Sequence, residues 1–205
     1  MKNNLTKLVT EALKTNVVRM HQNGFYQLDL INDARLHIWP DQKQERQKNY
    51  NGIHDHRFSF ESFIILGCLL HTEYGPVQNP NGKYQLYAVA PKNSVSGELK
   101  PTNNFFDVLE TKSLELHPGN LYEFDKGIFH QSINKREILT STVMKKTSCD
   151  EAIQPRVIGV RNYDPDDNTF DRLQIDEDKA LFYIKRVLRE TNPEILAQAY
   201  QFVIN

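Results

Sequence analysis

Four residues carry the chemistry this sequence offers most plainly. His54-Asp55-His56 sets two imidazoles two residues apart, Glu61 follows shortly after, and His130 stands far along the chain. On an extended strand, residues two apart share a face and lie about 7 Å apart, so His54 and His56 can aim at one point. Glu61 has the opposite parity. A turn or change of strand within residues 57–60 must therefore reset the phase before its carboxylate can join them. His130 must arrive from another strand. Three neutral imidazoles and a carboxylate suit Fe(II), Mn, Ni, Co, Cu or Zn, and suit Ca or Mg poorly.

Other side chains could work beside such a metal. Arg35, His37 and Trp39 share one face of an alternating stretch whose other face is Leu36 and Ile38. If the first face lines a cavity, Arg35 can hold an anionic substrate and His37 can hydrogen-bond it; otherwise it is a solvated strand face. Ser132 has the parity of His130 and is either a hydrogen-bond partner behind the metal or an ordinary interior serine. Tyr122 and Tyr87 could supply phenols, although strand aromatics more often pack a core. Cys68 and His71, three apart in an apolar strand, fall on opposite faces and make no nucleophile–base pair. Cys149 lies in a polar stretch without a base beside it. No catalytic residue is assigned beyond the metal ligands themselves.

The elements that must position these groups are mostly strands. Apolar residues from Leu5 to Val17 recur at helical spacing, which predicts an amphipathic helix over about 4–20. The period then changes to two at 35–39, where Pro40 ends a strand. A polar loop over 41–52 comes next. Strand-like segments follow at 60–71, 84–90, 105–116, 121–124, 129–133, 138–144 and 156–160. Turn signals such as Gly75-Pro76, Asn79-Pro80-Asn81-Gly82 and Pro118-Gly119-Asn120 punctuate them. Regularly punctuated short strands argue for an antiparallel sandwich or barrel. Asp176 can cap a helix carrying Ala180, Leu181, Ile184, Val187 and Leu188, and Pro193 can open another ending near Val203. The expected organisation is a single domain over 1–205, with a barrel core at about 33–147 and flanking helices at about 4–20 and 176–203.

Two stretches resemble the paired motifs of the cupin superfamily. The first is His54, His56 and Glu61 followed by Gly67; the second is Gly119, Gly127, His130 and Asn134, with Asp125 in place of the family's proline. Gly67 comes one residue early, and Gly52 does not match the family's leading glycine. The resemblance covers about 35–145 and implies an all-β core. That core is an antiparallel double-stranded β-helix, a jelly-roll-like barrel, with N- and C-terminal helices added. It also implies His54, His56, Glu61 and His130 as metal ligands. Ile53-His54-Asp55-His56, with Gly67 and Leu69, is locally similar to the metal strand of cysteine dioxygenases. Those enzymes hold iron through three histidines and add dioxygen to a thiol. A cysteine usually stands there where Glu61 stands here, and Glu61 points toward the three-His, one-Glu set.

A formal charge of −1, from 25 basic and 26 acidic residues, gives no broad positive field for nucleic acid or an anionic membrane. The longest apolar run, 63–70, is far too short for a membrane span. The N-terminus lacks a signal peptide's apolar stretch, and two cysteines build no disulfide framework, so a cytoplasmic protein with reduced thiols is expected. If Glu61, Phe63 and Ile65 point inward, Ser62, Ile64, Leu66, Cys68 and Leu70 form an apolar outer face. Terminal helices or a second subunit must then cover it, and a homodimer would do so. The leading expectation is an Fe(II) dioxygenase acting on a small organic acid or thiol. The alternatives are a metal-dependent isomerase or lyase, and a non-catalytic metal- or ligand-binding barrel.

Overall fold

A computed structural model describes residues 4–42, 50–93, 96–161, 169–172 and 175–205. The chain opens with helix α1 (Asn4–Thr15). Four strands follow it: β1 (Arg19–Met20), β2 (Tyr26–Asp29), β3 (Ala34–Trp39) and β4 (Tyr50–His54). The central run is β5 (Phe58–Leu66), β6 (Leu69–Gln78), β7 (Tyr84–Pro91) and the long β8 (Ser96–Leu116). After it come β9 (Leu121–Phe124), β10 (Phe129–Asn134), β11 (Thr140–Cys149), β12 (Arg156–Val160) and β13 (Thr169–Asp171). Helices α2 (Glu177–Glu190) and α3 (Pro193–Ile204) close the chain.

The strands form two antiparallel sheets, in the orders β1-β2-β3-β11-β5-β9 and β13-β8-β6-β10-β4-β12-β7. One part of β8 pairs with β6 and another with β7, so the second sheet curls back on itself. This is the all-β, jelly-roll-like barrel with terminal helices that the punctuated strands and the motifs implied. The strand expected over 60–71 is two strands, because the chain turns at Gly67. Its φ of +78° lies in the left-handed region, and a Cβ there would stand 2.3 Å from the Leu139 carbonyl oxygen. The loop expected over 41–52 yields its last residues to β4; residues 43–49 lie outside those described.

Helix α1 stops at Thr15 rather than near residue 20. Asn16 turns its amide to the Asp29 carbonyl at 2.8 Å, and the β-branched Val17 and Val18 favour extended backbone. The C-terminal helices begin where their caps required. Asp176 accepts from Lys179 N at 3.1 Å and Asn192 from Glu194 N at 2.8 Å.

The largest hydrophobic cluster lies outside the barrel. Leu28, Leu36, Ile38, Phe63, Ile65 and Val143 face outward from the first sheet. They pack against Leu5 and Val9 of α1, Tyr183, Ile184 and Val187 of α2, and Leu196, Ala199 and Val203 of α3. The parity expected for β5 is therefore reversed: Phe63 and Ile65 face the helices, while Phe58, Phe60 and Ser62 face the interior. With stability drawn from this outer layer, the barrel interior is free to carry polar side chains.

Candidate metal centre

His54 ends β4 and His130 lies directly opposite it on β10. His56 follows just beyond β4, where its carbonyl accepts from Gly127 N at 2.9 Å. The three rings converge, with centroid separations of 4.5 Å (His54–His130), 4.7 Å (His54–His56) and 5.1 Å (His56–His130). One ligating nitrogen from each lies within 4.8 Å of the others.

The residue between the two neighbouring histidines fixes them. Asp55 points the other way and is buried, and Arg156 of β12 clamps it. Its Oδ2 accepts from Arg156 Nε at 2.7 Å and its Oδ1 from Arg156 N at 2.5 Å. His54 is oriented from behind, where Nδ1 shares a 2.9 Å hydrogen bond with the Gly52 carbonyl. Gly52 has φ +83°, in the left-handed region that strains any other L-residue. The Nδ1 contact makes that nitrogen the protonated one and leaves Nε2 as the lone-pair donor. Asn23 Nδ2 sits 3.3 Å from Nε2 and 3.4 Å from Nδ1, and so aims squarely at neither.

Glu61 does not join this group. The parity set by His54 and His56 runs unbroken through Phe58, Phe60 and Ser62 as the chain crosses from the second sheet to the first. Glu61 is therefore left on the other face, between Lys145 of β11 and Glu123 of β9. The expected phase reset does not occur. Among the described residues the donor set is three imidazoles.

Arg35, His37, Ser132 and Tyr122 do reach the same cavity, which holds about 60 Å³. Arg35 lines it and bonds Asp29 through Nε at 3.1 Å. His37 is buried against Phe25 and Trp39. Ser132 shares a 2.9 Å hydrogen bond with His71 Nδ1. Tyr122, also in the wall, bonds Ser62 and Ser132, and burial pushes its phenol up to about 12. Tyr87 belongs elsewhere, donating to the Val160 carbonyl at 2.9 Å.

His71 and His21 were not legible as site residues. His71 is buried, its ring centroid 5.2 Å from that of His130, and in the sequence it only ends the apolar run 63–70. His21 stacks on Phe25. Burial is the leading cause that holds all six interior histidines neutral. His37 falls to about 3 and His54 and His71 to about 4, while His21, His56 and His130 lie well below the usual imidazole range. Neutral imidazole is the form that ligates, so this donor set suits a divalent transition metal.

The cavity opens past His54, His56 and Arg35 into a vestibule of about 800 Å³. Arg57 and Arg156 there are paired with Glu151 and Asp55. The lining as a whole carries Arg35, Arg57, Lys146, Arg156 and Arg172 against Asp33, Asp55 and Glu151, so the entrance is net positive. Deeper in, His37 Nε2, Trp39 Nε1 and Thr142 Oγ1 are buried without a hydrogen-bond partner among the described residues. Such atoms ask for a polar occupant, water or ligand.

Similarity to solved structures is distant. The Drosophila melanogaster CENP-C cupin domain aligns with a TM-score of 0.34 and 9% identity, over 64% of this chain and 75% of that one. An oxalate decarboxylase variant from Bacillus subtilis gives 0.34 and 12%, over 92% and 38%. Lactobacillus farciminis oxalate decarboxylase gives 0.31 and 16%, over 92% and 43%. No family model and no curated protein matches the sequence. Superpositions this loose transfer neither ligand nor activity, and the fold rests on the sheet topology itself.

Proposed function

We propose that the protein is a cupin-type Fe(II) dioxygenase acting on a small anionic substrate. The observation that carries this reading is the convergence of His54, His56 and His130 at a cavity with a cationic entrance. His54, His56 and His130 would hold the iron, which would supply Lewis acidity and one-electron chemistry to a substrate in the cavity.

The chain's own residues do the rest. Arg35 and Lys146 draw the substrate's anionic group toward the entrance, and they suit a carboxylate. His37 Nε2 and Thr142 Oγ1 meet its polar atoms in the depth of the cavity. Phe25, Trp39, Phe58 and Phe60 exclude bulk water and strengthen every polar contact made inside. Tyr122, held by Ser62 and Ser132, keeps its proton and acts as a donor rather than a base.

Anaerobically loaded Fe(II) protein is expected to consume dioxygen only when the right small acid or thiol is present, and to lose that uptake on His130→Ala. Conversion of such a substrate with Zn or Mn, without oxygen uptake, would replace this reading with an isomerase or lyase. Tight metal binding with no turnover of any substrate in a broad panel would leave a binding protein.

A further inference from the structure

We propose a second divalent-metal site, independent of the barrel, formed by Cys68, Glu115 and His117. Cys68 follows the Gly67 turn and leads into β6, while Glu115 and His117 flank Leu116 at the end of β8. The Leu69–Leu116 pairing of those strands brings the three together. Their ligating atoms all lie within 4.8 Å of one another. They border a cleft of about 340 Å³ that shares no lining residue with the barrel cavity or its vestibule.

Two of the three donor separations match a metal's requirements directly, and the third lies within 4.8 Å. Cys68 Sγ stands 3.6 Å from Glu115 Oε1, and His117 Nε2 stands 3.5 Å from the same oxygen. Tetrahedral zinc, with bonds of about 2.3 Å to sulfur and about 2.0–2.2 Å to nitrogen and oxygen, sets neighbouring donors about 3.4–3.7 Å apart. Glu115 divides its two oxygens: Oε2 pairs with Lys135, which leaves Oε1 directed at the thiol and the imidazole. The thiol now donates its proton to that carboxylate. On binding, the metal takes the place of this proton, which leaves for solvent, and thiolate plus carboxylate balance the dication's charge.

The backbone around the donors is already fixed. Cys68 N donates to Thr140 Oγ1 at 3.1 Å, and the Cys68 carbonyl accepts from Lys135 N at 2.9 Å. His117 N donates to Asn120 Oδ1 at 2.8 Å, and Asn120 N returns a 2.9 Å bond to the His117 carbonyl. Binding therefore needs little ordering beyond the exposed Glu115 and His117 side chains. A thiolate, an imidazole and one carboxylate select Zn(II), Co(II) or a similar borderline ion over Mg(II) or Ca(II). Among the described residues three protein donors converge here, which leaves a fourth position for solvent at the surface.

Cobalt(II) titration of the full chain tests this, because thiolate ligation adds a near-ultraviolet charge-transfer band that an all-histidine site cannot produce. The band is expected in the unsubstituted protein, in Cys149→Ser and in His54→Ala/His56→Ala. It should vanish in Cys68→Ser. In His117→Ala, a surface change that leaves folding intact, the affinity read from the band should fall at least about tenfold, the least that losing even an outer-shell partner costs. No band in the unsubstituted protein, a band surviving Cys68→Ser, or an unchanged affinity in His117→Ala would each overturn the site.

Discussion

At the residue scale, the division of labour among charged and titratable groups follows from burial. His54, His56 and His130 lose the charged state because the interior cannot solvate it, and each thereby keeps a lone pair for a cation. Glu61 lies on the opposite face of β5, beside Lys145 and away from the three imidazoles. Glu61→Gln should therefore leave affinity for the barrel metal within about twofold, well short of the tenfold or more a coordinating or outer-shell group costs. A metal titration of the variant checks this; a large loss would return the carboxylate to the ligand set. The His-x-His pair was legible because alternation in a strand is a rigid rule. Glu61 was misplaced because sequence spacing does not show whether a chain crossing between sheets keeps its parity.

At the element scale, the Asp55–Arg156 clamp ties β12 to the end of β4 and so sets the angle between the first two imidazoles. Arg156→Ala leaves the Asp55 carboxylate buried without its cation. Breaking a fully buried pair costs about 3–5 kcal/mol, but Arg156 is 38% exposed, so about 2 kcal/mol is the better expectation. Urea unfolding measures the loss, and metal affinity should weaken with it because the histidines lose their alignment. Strands 121–124 and 156–160 were read to the residue, since turn residues bound them on both sides. Helix α1 was read too long because Val17 continues the helical period although local backbone preference has already changed. The clamp itself was invisible, as its partners lie on distant strands.

At the scale of the whole molecule, two layers have separate work. The outer face of the first sheet and the three helices hold the apolar core, while the barrel interior holds histidines and unpartnered polar atoms. Leu36→Ala, under the helices, should cost about 3 kcal/mol in unfolding free energy and leave metal stoichiometry unchanged. Loss of metal binding with that substitution would mean the layers are not separate.

The interior histidines also make the metal-free protein acid-sensitive. His37 titrates near 6.5 when unfolded but at about 3 when folded. Above pH 6.5 both states are neutral and nothing is lost. As pH falls below 6.5 the unfolded chain binds a proton that the folded chain refuses. Stability should then drop by up to about 1.4 kcal/mol per pH unit for each such histidine. Denaturant midpoints measured from about pH 7 down to about pH 5 should fall steeply, and a flat profile would contradict the burial.

The central claim is that three imidazoles alone hold a metal in the barrel. The direct measurement is equilibrium binding of a divalent transition metal to the Cys68→Ser protein, which removes the second site, with and without His130→Ala. One ion per chain is expected in the first protein. Affinity should be weakened by more than about a hundredfold in the second, beyond the cost of losing an outer-shell partner. Stoichiometric, equally tight binding after His130→Ala would contradict the account.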